Sequence, residues 1–327
     1  MSGMVGLKIG WLGSCSREKR SLYGGKAYEM QLLRFLADTY EVEEVYPHDN
    51  TKNELLRWAS ELYRLSTLSV SKDVVIRDFY SSAVMGRTSG RNISIIHHID
   101  SSQKNHPVLN RLLEKKFSMN LNRIDTIVTV SEFWKRCIAE MGHDDVRVVY
   151  NGFDVKEFEI GSEEVERFRE EHRLCGKPII YLGNCQPAKG VVEAYRELKD
   201  RDAFLVTSGE EQVNIPAKNL NLNYKDYLML LKASSVVVAM SKFKEGWNRT
   251  VHEAMLCKTP VIGSGLGGMR ELLDGGKQLL CDDLSALNDL VDVAVENGAE
   301  LGEYGREFAK AFTIERFEQG WRQILRA

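Results

Sequence analysis

The sequence predicts an α/β protein built from two domains with parallel sheets. Short β-branched runs alternate with amphipathic stretches from one end of the chain to the other. The runs are nearly continuously apolar, as parallel strands buried on both faces must be. They also fall into two series, separated by the polar stretch NGFDVKEFEIGSEEVERFREEHRLCGKP at 151–178.

The first series comprises LKIGWLG (7–13), DVVIRDF (73–79), ISIIHH (93–98), DTIVTV (125–130) and VRVVYNG (146–152). The second comprises PIIYLGN (178–184), AFLVTSG (203–209), VVVAMS (236–241) and PVIGS (260–264). Helical patterns lie between them. In KAYEMQLLRFLAD (26–38), Tyr28, Leu32, Phe35 and Leu36 share one face. SEFWKRCIAEMG begins on Ser131, a good N-cap, and stops before Gly142. A chain of 327 residues holds two domains of ordinary size, with a cleft expected between them. Ligands of such sheets gather at the carboxyl ends of the strands, so the residues after each strand are the candidates for chemistry.

Hydrophobic residues make up 43% and charged residues 28%, as in an ordinary globular protein. The net charge of −3 carries no footprint of nucleic acid. Residues 1–150 carry 21 basic against 18 acidic side chains, and the remainder carries 23 against 29. The densest basic stretch, KNHPVLNRLLEKKFSMNLNR (104–123), reads first as a solvated helix face. Its sharper reading is a peripheral contact with anionic lipid. No apolar run approaches the roughly 18 residues of a membrane span, and the N-terminus lacks a signal-peptide pattern. The expectation is a cytoplasmic protein, touching the inner membrane face at most peripherally. Six scattered cysteines without a C-x-x-C predict reduced thiols, neither a disulfide framework nor a zinc site.

PVIGSGLGGMREL, from Pro260, imitates a dinucleotide fingerprint, with Gly263, Gly265 and Gly268 spaced as G-x-G-x-x-G. The helix after it is only MRELL before Asp274-Gly275-Gly276, and about 60 residues remain, too few to complete a dinucleotide-binding domain. Asp200-Arg201-Asp202 is a second decoy. It precedes a strand instead of following one, so it reads as a polar turn and not as a metal–diphosphate ligand.

The stretch after VVVAMS is richer. Glu245 lies in a strand-to-helix loop just before Gly246, where a glutamate neither caps nor packs, and Glu253 stands one turn into the next helix. Thr250 and Glu253 also fit a capping box, in which Glu253 would reach back to the Thr250 N–H. Carboxylates at a helix entrance can accept hydrogen bonds from sugar hydroxyls.

E245-GWNRTVH-E253, followed by AMLCKTPVIGSGLGGMREL, resembles the E-x7-E signature of retaining family 4 glycosyltransferases of the GT-B fold. Gly24-Gly25, His97-His98, VTVSEFWKRCIAEMG, VRVVYNGFD and YLGNCQPAKG follow the same family order, so the resemblance spans essentially the whole chain. It implies two Rossmann-like domains whose parallel sheets face a central cleft. Residues 1–155 would form the acceptor-side domain, joined by a helix at 313–327 that packs back onto it. Residues 156–312 would bind the donor.

The resemblance also implies roles. Lys189 would neutralise the donor diphosphate, with Gly24 and Gly25 offering backbone N–H groups to the same phosphates. Glu253 would hold the ribose, Glu245 the transferred sugar, and Gly246 and Gly268 would line the donor pocket. His97 or His98 would stand beside the donor sugar, with His98 nearer the loop. The family has a basic residue at the position of Asn184 and a glycine-rich turn where Trp247-Asn248-Arg249 stands, which leaves Arg249 to supply the missing charge.

The implied activity is metal-independent, retaining transfer of a sugar, a hexose by the resemblance, from a nucleoside-diphosphate sugar to a glycan, lipid-linked or small-molecule acceptor. No cofactor beyond the donor is implied. Two alternatives remain open at this level: a sugar-nucleotide epimerase or hydrolase of the same fold, and a catalytically silent nucleotide-sugar-binding protein.

Overall fold

The computed structural model describes residues 6–15, 24–100, 102 and 106–327. The chain divides into two compact units. One ends at Tyr150 and is joined by Glu315–Ala327; the other is Asn151–Ile314.

The first unit contains β1 (Lys8–Leu12), α1 (Gly24–Thr39), β2 (Glu41–Glu44), α2 (Glu54–Thr67), β3 (Ser69–Val70), β4 (Val74–Arg77) and α3 (Phe79–Ala83). It continues through β5 (Arg87–Thr88), β6 (Arg91–Ile96), α4 (Pro107–Met119), β7 (Thr126–Thr129), α5 (Glu132–Glu140) and β8 (Val146–Val148). Its main sheet runs β2-β1-β4-β6-β7-β8, all parallel, while β3 and β5 pair separately. Every residue of β4 and β7 is buried, which is why these strands read as unbroken apolar runs. Arg77, the charged exception, is held in the core by donating to Asn92 Oδ1 and the Ser81 carbonyl, both at 3.0 Å. Ser131 caps α5 by accepting from the Trp134 N–H, and Gly142 follows with φ +96°.

The second unit contains α6 (Ser162–Glu171), β9 (Ile179–Asn184), α7 (Val191–Leu198), β10 (Phe204–Ser208), β11 (Lys218–Leu220), α8 (Tyr224–Ala233) and β12 (Val236–Ala239). It is completed by α9 (Arg249–Leu256), β13 (Val261–Gly263), α10 (Met269–Gly275), β14 (Leu279–Leu280), α11 (Leu287–Glu296) and α12 (Gly298–Ala309). Its sheet runs β11-β10-β9-β12-β13-β14, again all parallel. The core packs Ile180, Leu182, Val236, Val238 and Ile262 of the sheet against Val191, Leu198 and Val291 of its helices. Strand order reverses between β9 and β12 here, and between β1 and β4 in the first unit. These reversals are the switch points where a doubly wound sheet opens a crevice for ligand.

The last helix, α13 (Ile314–Arg326), belongs almost wholly to the first unit. Its Trp321 Nε1 donates to Tyr28 Oη at 3.1 Å, and Tyr28 donates in turn to the Val149 carbonyl at 3.1 Å. Phe317 meets the Tyr28 ring edge-on. Among the described residues, no helix is long and apolar enough to cross a membrane.

Strands β2, β3, β5, β11 and β14 have no counterpart among the sequence-predicted runs. All five are edges, and β2 is EVEE. An edge strand bonds to one neighbour and meets solvent on its other side, so it needs no continuous apolar run.

Candidate active site

Three loops of the second unit meet at its switch point. Lys189 ends the turn after β9, Glu245 follows β12, and the turn around Gly265–Gly268 follows β13. The Lys242 N–H donates to the Ala188 carbonyl at 2.9 Å, which ties the first loop to the second. The Glu245 N–H donates to the Leu266 carbonyl at 3.2 Å, and the Gly268 N–H donates to the Glu245 carbonyl at 2.9 Å. Gly267 has φ +71°, and a Cβ there would lie 2.4 Å from the Glu245 carbonyl oxygen. The glycines that imitate a dinucleotide fingerprint thus hold the backbone of Glu245. They also follow the wrong strand: in a dinucleotide fold the glycine-rich turn follows the first strand of the sheet, here β9.

The Glu245 carboxylate is buried and well supplied with donors. Its Oε1 accepts from Lys189 Nζ at 2.6 Å, Ser241 Oγ at 2.6 Å and Asn248 Nδ2 at 3.3 Å. The expectation that this glutamate would lack structural partners is therefore corrected. Lys189 keeps about a quarter of its side chain exposed and also lies over the Phe243 ring.

Glu253 is buried, and it is not part of a capping box. The cap of α9 is Asn248, whose Oδ1 accepts from the Val251 N–H at 3.1 Å, so the helix starts two residues earlier than a Thr250 cap requires. Asn248 adopts φ +52°, a conformation asparagine tolerates, and so makes the turn without the family's glycines. Glu253 Oε1 accepts instead from Tyr224 Oη and Arg249 Nη2, each at 3.2 Å. Burial raises its pKa, while Arg249 and the tyrosines pull the other way. Arg249 also donates to Asn151 Oδ1 at 3.1 Å and lies 4.4 Å over the Phe153 ring. Its charge is committed to this cluster.

His252, between these groups, is a core residue. Trp247 Nε1 donates to its Nδ1 at 3.0 Å, which leaves Nε2 to donate to the Ala309 carbonyl at 3.1 Å. The neutral ring stacks on Phe153 at 4.1 Å, and burial drives its pKa down to about 3.

In the first unit, Gly24 and Gly25 open α1, and His97 and His98 follow β6. A Cβ on Gly25 would stand 2.7 Å from His97 Cδ2, so only glycine lets the helix approach the imidazole this closely. His97 Nε2 lies 3.3 Å from Glu29 Oε1, and the Tyr28 ring meets it edge-on. His98 lies beside Trp134 instead. Among the two histidines it is His97 that joins the glycine turn.

Asn184 Oδ1 accepts from Ser208 Oγ at 3.1 Å. Asp200-Arg201-Asp202 forms the turn before β10, with Asp202 paired to Lys177 and Arg201 to Asp292. Ser241, Tyr224 and Asn151 are site residues that sequence reasoning missed. Ser241 stands two residues after the end of β12 and was open to the strand-end rule; Tyr224 reaches Glu253 across 29 positions and left no local signal.

Comparison with known proteins agrees with this architecture. Residues 27–157 match the family described as Glycosyltransferase Family 4, and residues 176–297 match Glycosyl transferases group 1. An uncharacterised glycosyltransferase of Methanocaldococcus jannaschii is 25% identical over 333 aligned positions, covering 91% of this chain and 90% of the relative. The N-acetyl-alpha-D-glucosaminyl L-malate synthase of Bacillus anthracis is 23% identical, covering 67% and 64%. Among solved structures, Anabaena HepE in complex with UDP-glucose superposes with a TM-score of 0.75 at 17% identity, covering 98% of this chain and 99% of that one. Sucrose-phosphate synthase from Thermosynechococcus elongatus gives 0.77 at 16% identity, covering 98% of both. The fold is GT-B, and the two family models together with the curated relatives support a glycosyltransferase of the family 4 type.

Proposed function

We propose that the protein transfers a hexose, with retention of configuration, from a nucleoside-diphosphate sugar to a glycan, lipid-linked or small-molecule acceptor. The observation that carries this reading is the meeting of Lys189 and Glu245 at the switch point of the second sheet. A diphosphate leaving group needs a cation close by, and the hydroxyls of a sugar need acceptors. Lys189 and Glu245 supply one of each from adjacent strand ends. Glu253, held by Tyr224 and Arg249, is the acceptor for the ribose hydroxyls, so Arg249 acts on donor binding through Glu253. Gly246 and Gly268 fix the loops around it. His97 is the first unit's candidate catalytic group, on the strength of its contact with Gly25. The complexes of Anabaena HepE with UDP-glucose, and with UDP and glucose, support a nucleotide sugar as the donor class.

Departure of the diphosphate is eased by the positive charge of Lys189. In a same-face displacement, the leaving phosphate oxygen takes the acceptor's proton, so retention needs no protein nucleophile. The same charge arrangement makes the reaction metal-independent.

Thermal unfolding of the protein with UDP, GDP, ADP and their sugars tests the donor assignment. A ligand at about 100 times its Kd stabilises by roughly 2.7 kcal/mol. The expected result is stabilisation by one nucleoside-diphosphate family and turnover of its sugar form only with an acceptor. Turnover without any acceptor would instead identify a hydrolase or epimerase.

A further inference from the structure

Helix α4 is apolar on two opposite faces. Leu113 and Phe117 point into the first unit and are buried. Val108, Leu112, Lys115 and Met119 form a stripe on the outward side, spaced at about one helical turn, with Arg111 and Lys116 flanking it. A helix facing only water carries polar residues there. Helix α2 adds Leu55, Leu56 and Tyr63 to the same exposed class. Leu55 of α2 and Pro107, Val108, Leu109 and Leu112 of α4 line one open apolar hollow, so the two helices contribute to a single surface.

Six of the eleven large apolar side chains exposed among the described residues lie on these two helices, between 48% and 72% exposed. The clustering matters because scattered surface apolar residues are ordinary, whereas contiguous ones mark a contact. The charges on the surface indicate what it contacts. Arg57, Arg111, Lys115 and Lys116 form no ion pair among the described residues, while Arg64 is paired with Asp49. The acidic members of the two helices are Glu54, Glu61 and Glu114, and Glu61 is already engaged by Tyr46 and the Asp49 N–H.

We propose that the outward faces of α2 and α4 form a docking surface for an anionic phospholipid bilayer. Val108, Leu112, Met119, Leu55 and Leu56 enter the headgroup boundary, and the cations at 57, 111, 115 and 116 meet lipid phosphates. Lysine and arginine suit such a boundary, because their stems bury while their charged ends reach the headgroups. A symmetric contact between two copies is disfavoured by the same residues, since it sets two cationic surfaces against each other. The surface lies within one unit, so the proposal stands apart from the donor assignment.

The test is co-sedimentation of the full chain with phosphatidylcholine vesicles containing about one-third phosphatidylglycerol, against pure phosphatidylcholine. Strong binding to the anionic vesicles is expected, falling steeply as salt rises from about 0.1 to about 0.5 M. Arg111→Glu with Lys115→Glu should lower partitioning at least about tenfold. Val108→Ser with Leu112→Ser should do likewise, and Val293→Ser with Val295→Ser, exposed on α11, should bind as the parent does. Unchanged unfolding temperatures and nucleotide binding make the loss specific to the surface. The proposal is overturned if the parent ignores anionic vesicles, binds both compositions equally, or is unaffected by either double variant. A dimer in light scattering that the serine variant dissociates also overturns it, in favour of a contact between copies.

Discussion

Lys189 Nζ and Glu245 Oε1 lie 2.6 Å apart, joining the turn after β9 to the loop after β12. The pair spans 56 positions of sequence and bridges the reversal in strand order. Its carboxylate is buried and its ammonium partly open, so a ligand can reach the cation without unfolding the loop.

Glu245→Ala should fold, because the lysine it releases can turn to water. It is expected to lose at least about a hundredfold in kcat/KM, equivalent to about 2.7 kcal/mol. Steady-state kinetics and an unfolding curve on the same sample check this. A variant that turns over normally removes Glu245 from the site, whatever its stability.

Lys189 and Arg249 should fail differently. Lys189→Ala is expected to weaken nucleoside-diphosphate binding by at least about tenfold while leaving nucleoside binding almost unchanged, since it removes one phosphate cation. Arg249→Ala should weaken both ligands alike, because Arg249 positions Glu253 and is already engaged with Asn151. Glu253→Gln should also weaken both, while its unfolding free energy stays within about 1 kcal/mol, because Asn248 and not Glu253 caps α9. Calorimetric titration of the three variants with nucleoside and diphosphate separates these cases. Equal selectivity in Lys189→Ala and Arg249→Ala would contradict the division of roles.

His252 gives the protein an acid-sensitive core. Its folded pKa of about 3 lies below the ordinary value of 6.5, because burial between Phe153 and Trp247 disfavours the cation. Below pH 6.5 the unfolded chain takes up a proton that the folded chain refuses, so stability falls as pH drops from 6.5 towards 3. Between pH 6.5 and 5 this single group contributes a loss of about 2 kcal/mol. His252→Phe should be less stable at neutral pH, having lost two hydrogen bonds, yet show a flatter decline on acidification. Denaturant midpoints at several pH values measure the slope; an equal slope in both proteins would assign the acid sensitivity elsewhere.

Metal is the fourth test. The only D-x-D of the sequence, Asp200-Arg201-Asp202, lies at the amino end of β10, and its Asp202 is paired with Lys177. Positive charge at the proposed diphosphate comes from Lys189. Exhaustive EDTA treatment is therefore expected to leave activity intact, with only a modest, salt-like response to magnesium. Activity abolished by EDTA and restored by stoichiometric manganese would require a different account of the leaving group.

Much of this molecule is legible in the sequence, where the physics is local. Central strands such as VVIR and TIVT are buried on both faces, so they had to be continuously apolar, and Ser131 had to be a residue able to cap. The spacing of Glu245 and Glu253 and the order of the glycine and histidine landmarks are equally one-dimensional. The edge strands were not legible, because EVEE becomes a strand only by bonding to β1. Nor were the partners of the acids. A carboxylate's environment is set by whatever the sheet brings beside it, which is Lys189 for Glu245 and Tyr224 for Glu253. Tertiary structure likewise gave Gly267 its task of holding the Glu245 backbone and brought His97, not His98, against Gly25. The residue types and their order follow from the chain itself. Their pairing depends on close approach between segments far apart in sequence, which only the folded sheets create.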